Sequence, residues 1–141
     1  MKSKLMLRIA SVVMFLHDIG HTIGHLTWKE TTDPIQREVI KAMTENKFPF
    51  MGATRSLGDY YEGYGWASTI ALLLIAVILW ITSGANPANR VFAKKILITM
   101  SIVLLLWEVI ELIFVFPFAA LFTFVAFVLT TIAIFRLPKE V

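Results

Sequence analysis

Residues 94–136 read KKILITMSIVLLLWEVIELIFVFPFAALFTFVAFVLTTIAIFR. Two lysines and an arginine bound a long apolar stretch, and Pro117 near its middle allows only a tight turn between two halves. A bilayer core about 30 Å thick takes about 20 apolar residues per helix, so each half is a spanning helix, one at about 94–116 and one at about 118–136. The same length of apolar sequence recurs at about 5–27 and 66–83. The whole chain agrees with this reading: of its 141 residues 57% are hydrophobic and only 16% charged, far more apolar than an average soluble domain. The sequence therefore predicts an all-α integral membrane four-helix bundle forming one transmembrane domain over residues 1–141, without internal repeats. The first span is not read as a cleavable signal, because its apolar part is too long, it holds ionisable residues and no small-x-small site follows.

Cysteine is absent, which excludes thiolate metal ligands, disulfides and dithiol redox chemistry. The net charge of +3 matters less than where the charges lie. Lys2, Lys4, Arg8, Arg90, Lys94, Lys95, Arg136 and Lys139 fall on one side of the expected spans, whereas residues 28–65 carry five basic and six acidic residues. By the positive-inside rule both termini are expected in the cytoplasm of a bacterial inner or plasma membrane, with residues 28–65 as an outer loop. The basic residues flank spans and form no patch, so nucleic-acid binding has no support.

The outer loop opens with TTDPIQREVIKAM, residues 31–43. Asp33 can cap a helix, Pro34 suits its first turn, and Ile35, Val39, Ile40 and Met43 recur at helical spacing, which predicts a short amphipathic helix on the membrane surface. Then comes FPFMGATRSLGDYYEGYGW, residues 48–66, in which Gly52, Gly58, Gly63 and Gly65 punctuate a structured re-entry, and Tyr60, Tyr61, Tyr64 and Trp66 suit an interfacial aromatic belt. Arg55, Asp59 and Glu62 belong to its outer mouth. Arg55 either pairs with Asp59 or Glu62 or receives an anionic head group.

Inside the first apolar run lies FLHDIGHTIGH, residues 15–25. His17, His21 and His25 are four residues apart and fall at about 0°, 40° and 80° around a helix, with Asp18 near 100°, so they share a face. Lipid is a costly place for that face, about 2.5–3.5 kcal/mol for one aspartate at the bilayer centre, so it is expected to point into the bundle. Gly20 and Gly24 lie beside it as a G-x-x-x-G pair, which allows close approach of another helix, including one from a second copy in a homodimer. In the third span Glu108 and Glu111 also share a face. Counted inward at about 1.5 Å per residue, His25, His21 and His17 lie about 4, 10 and 16 Å deep, and Glu111 and Glu108 about 7 and 12 Å. The two clusters occupy one stratum in the outer leaflet, beneath a lid formed by residues 52–65.

Three uses of such a cluster follow from residue chemistry. Imidazoles and carboxylates suit zinc, iron or manganese, with His17, His21, His25, Glu108 and Glu111 as candidate ligands and Asp18 orienting an imidazole behind them. Haem is disfavoured, since all three histidines lie on one helix and bis-His ligation needs two facing ones. The second use is metal-free acid–base chemistry on, or binding of, a lipophilic small molecule, with Glu108 and His21 exchanging a proton and Glu111 setting their charge. It is similar in chemistry and helix placement to that of sterol isomerases of the emopamil-binding type, with no shared motif. The third is a hydrogen-bonded network that fixes helix register and does nothing else. Taken with the four spans, FLHDIGHTIGH and FPFMGATRSLGDYYEGYGW resemble small bacterial four-helix integral membrane proteins of unassigned function over most of the chain, a resemblance that implies the fold and carries no activity.

Overall fold

The computed structural model describes residues 2–137. Lys139 and the side chain of Lys2, both assigned to the inner side by sequence, lie outside the described residues. The elements in order are α1 (Lys2–Thr27), α2 (Pro34–Glu45), a hairpin of β1 (Lys47–Phe50) and β2 (Ala53–Ser56), α3 (Leu57–Thr82), a short 3₁₀ turn (Pro87–Asn89), α4 (Arg90–Phe114) and α5 (Pro117–Phe135). The fold is all-α apart from the hairpin. Four helices, α1, α3, α4 and α5, are long and apolar enough to cross a membrane. The chain divides into two compact units, Met1–Asp18 with Leu72–Val141, and Ile19–Ala71.

The first unit holds the apolar core. Leu7, Ala10 and Met14 of α1, Leu72, Ile75, Ala76 and Leu79 of α3, Leu97 and Leu104 of α4, and Ala126 and Ala133 of α5 form one buried cluster. The chain turns at Pro117, which starts α5 without needing an amide hydrogen there, and α4 and α5 pack along one another. Their contact follows from composition: the buried face of α5 is a stripe of Ala119, Thr123, Ala126, Thr130 and Ala133, small residues that admit a neighbouring backbone. The bulkier Leu121, Phe124 and Phe135 of the same helix are exposed. Ser11 of α1 ties itself to α3 by donating from Oγ to the Ala76 carbonyl at 2.6 Å.

In the second unit, Asp33 caps α2 as its sequence predicts, its Oδ1 accepting from the Ile35 and Gln36 amides at 2.7 and 3.2 Å. None of the residues of α2 is buried, and Ile35 and Val39 stand exposed. The hairpin pairs Lys47 with Ser56, Phe48 with Arg55, Pro49 with Thr54 and Phe50 with Ala53. Its two-residue turn needs left-handed backbone at both positions, met by Met51 (φ 47°) and Gly52 (φ 83°).

Helix α3 departs from the expected span. It starts at Leu57, not near Trp66, so Gly58, Gly63 and Gly65 are helical instead of punctuating a loop. The start is fixed by a reciprocal cap: the Ser56 amide donates to Asp59 Oδ2 at 2.8 Å while the Asp59 amide donates to Ser56 Oγ at 3.1 Å. Two of the glycines are there for packing. A Cβ on Gly58 would meet Thr44 Cγ2 at 2.8 Å, and one on Gly65 would run into the His25 ring.

Candidate functional site

Among the described residues each unit contains one histidine–glutamate pair. In the first, α1 carries His17 and α4 carries Glu111, both on buried faces and only 7% and 4% exposed. His17 Nε2 lies 3.1 Å from Glu111 Oε1. One turn earlier on α4, Trp107 Nε1 donates to the same oxygen at 3.0 Å, and Thr123 Oγ1 of α5 donates to the other, Oε2, at 2.7 Å. Thr123 Oγ1 also stands 3.3 Å from His17 Nδ1. Phe122 packs beside the imidazole with ring centroids 5.8 Å apart.

Proton bookkeeping narrows the states of this cluster. Thr123 has one hydroxyl proton and gives it to Glu111 Oε2, so its contact with His17 Nδ1 is met by an Nδ1–H donor. An imidazole carrying hydrogen on Nδ1 has two choices at Nε2. It is either protonated there and faces a Glu111 carboxylate, or bare and faces a Glu111 carboxylic acid. Both arrangements use the same heavy-atom geometry and differ by one proton moved across the 3.1 Å gap. The cluster therefore sets an imidazole nitrogen and a carboxylate oxygen at hydrogen-bond distance in a buried site, with His17 Nδ1 and Glu111 Oε2 engaged by Thr123.

In the second unit, His25 Nε2 lies 3.3 Å from Glu62 Oε2, and Glu62 Oε1 accepts from Lys29 Nζ at 2.7 Å and from Trp28 Nε1 at 3.0 Å. The His25 ring abuts the Trp66 indole edge-on and stacks at 6.3 Å against His21. His21 Nε2 lies 3.1 Å from the Gly65 carbonyl oxygen. Glu62, expected at an outer mouth, is thus the carboxylate of a second pair, and Trp28 and Lys29 are partners that sequence reasoning passed over.

Of the remaining expected residues, Asp18 is buried on α1 and Glu108 is half-buried on α4, where Oε2 has no hydrogen-bond partner among the described residues. Asp59 caps α3, and Arg55 Nη1 donates to its neighbour's carbonyl, Thr54 O, at 3.0 Å. Neither Asp59 nor Glu62 forms an ion pair with Arg55 among the described residues. Gly20 and Gly24 are exposed, with no atom within 4 Å of where a Cβ would stand. Among the described residues no three His, Asp or Glu side chains group closely enough to hold a metal ion. Thr123 was not foreseen. Its only signal was the i, i+7 spacing with Thr130 inside the small-residue stripe of α5, the face that meets a neighbouring helix. Comparison with protein-family models, with curated protein sequences and with solved structures returns no match.

Proposed function

We propose that this is an integral membrane protein crossing the bilayer four times, with both termini in the cytoplasm, and that His17 and Glu111 are a metal-free acid–base centre for a lipophilic small molecule. Support for the membrane reading is the inversion of side-chain size: small and polar residues such as Ser11, Ser101, Thr123 and Thr130 are buried, while Leu105, Leu106, Ile110, Ile113, Phe114 and Phe124 are exposed. In water such a surface far exceeds what a soluble monomer shows, whereas hydrocarbon welcomes it.

The acid–base reading rests on one observation, the approach of the buried His17 Nε2 to within 3.1 Å of Glu111 Oε1. Trp107 and Thr123 fix the carboxylate in place, so that a proton can move with little rearrangement of heavy atoms. Glu108, three residues earlier on the same helix and with one buried oxygen that has no hydrogen-bond partner among the described residues, supplies a second carboxylate to exchange a proton with a ligand. His17 takes the part expected of His21, whose Nε2 is directed to the Gly65 carbonyl.

The test is elemental and mass analysis of untagged protein purified without chelator. The expected result is no stoichiometric zinc, iron or manganese, together with an apolar compound released by organic extraction and lost from Glu108→Gln and Glu111→Gln variants. Near-stoichiometric metal that disappears in His17→Ala would instead make His17 and Glu111 metal ligands. A parent holding neither metal nor compound would reduce the pair to a structural network.

A further inference from the structure

Three glycines lie in the first turns of α3, and only two are explained by the protein's own packing. Gly58 and Gly65 face Thr44 and the His25 ring, where a Cβ would collide. At Gly63 an added Cβ would meet nothing within 4 Å. Glycine weakens a helix through backbone entropy, so this position carries a cost with no return from the chain itself. The space that Gly63 keeps open belongs to a cavity of about 280 Å³ lined by Arg55, Asp59, Tyr60, Gly63, Tyr64 and Ala67. Tyr60 and Tyr64 are one turn apart on the helix, as are Gly63 and Ala67, so a groove with a small-residue floor runs along α3 beside two aromatic rings.

The groove carries one charge of each sign, Arg55 and Asp59, and they differ in how much of their hydrogen-bonding capacity is already used. Asp59 Oδ2 is committed to the Ser56 amide at 2.8 Å as the helix cap. Arg55 is exposed and spends one donor on the Thr54 carbonyl, with no ion-pair partner among the described residues, so most of its guanidinium fork is unused. A planar fork of this kind matches the oxygens of a phosphate.

We propose that the groove binds an anionic membrane phospholipid, its phosphate on Arg55 and its upper acyl chain along Gly63 and Ala67 beside the tyrosines. A lipid is preferred to a free phosphate because the lining reaches from Arg55 to Ala67, where the apolar run of α3 begins, and because Tyr60, Tyr61, Tyr64 and Trp66 mark the level where head groups lie. The inference rests on the membrane reading above and is independent of the His17–Glu111 centre.

The experiment reconstitutes the full chain in phosphatidylcholine vesicles with and without phosphatidylglycerol, re-extracts it gently and counts retained lipids by native mass spectrometry. Phosphatidylglycerol is expected to be retained over phosphatidylcholine, and about tenfold less of it in Arg55→Gln, the change expected when one charge-assisted contact is removed. Gly63→Leu, which fills the groove while leaving Arg55 intact, should lose it as well, with circular dichroism matching the parent. Selectivity is expected to survive excess inorganic phosphate; its displacement by phosphate alone would overturn the lipid assignment. Equal retention of both lipids, or parent-like retention by both variants, would overturn the groove. A parent that fails to enter even neutral vesicles would overturn the membrane reading and the lipid site together, whereas one that inserts without head-group preference overturns the site alone.

Discussion

Thr123 links two buried neighbours through one hydroxyl, donating to Glu111 Oε2 at 2.7 Å and accepting from His17 Nδ1 at 3.3 Å. Replacing it with valine keeps the volume and removes both partners, leaving a buried carboxylate oxygen and a buried ring nitrogen unmatched. Unmade hydrogen bonds of this kind cost about 1–3 kcal/mol, so Thr123→Val should lower stability by that amount in detergent thermal unfolding, while Thr123→Ser recovers most of it. A valine variant as stable as the parent would mean that the hydroxyl has no part in holding the pair. The burial of His17 and Glu111 is legible in the sequence, because an ionisable residue in an apolar run is too costly to face lipid and has to find a polar interior. Their satisfying partners are not. A lone threonine in an apolar helix looks like filler, and whether His25 meets Glu111 or Glu62 depends on the path of residues 28–65, which helical periodicity does not fix.

At the level of elements, the four long helices follow from apolar length alone, and α2 follows from its Asp33–Pro34 start. The start of α3 does not, because four glycines in residues 52–65 read as turns. Two of them serve close packing against Thr44 and His25, contacts between segments far apart in sequence, and the Ser56-x-x-Asp59 cap outweighs the weak helical preference of the glycine-rich first turns. That cap carries a prediction. Asp59→Ala removes the acceptor of the Ser56 amide and should cost about 0.5–2 kcal/mol, felt locally. Amide hydrogen exchange should accelerate over residues 57–65 and stay unchanged in α5; uniform protection along α3 would show that packing, not the cap, sets its start.

For the whole molecule, the absence of cysteine offers a direct reading of orientation. Single cysteines placed at Lys4 and at Lys41 have no competing thiols. An impermeant maleimide added to intact cells should label Lys41→Cys and spare Lys4→Cys until the membrane is opened; the opposite pattern would invert the proposed topology. The four helices long and apolar enough to cross a membrane are legible from the apolar fraction and its distribution. What composition does not convey is that the chain forms two compact units, each with its own histidine–glutamate pair. Each of those glutamates also receives an indole N–H, from Trp107 in one unit and from Trp28 in the other. An indole tied to a carboxylate shifts its electronic transitions with the charge on that carboxylate, so the chain carries an intrinsic optical reporter at both pairs, in colours already part of its own spectrum.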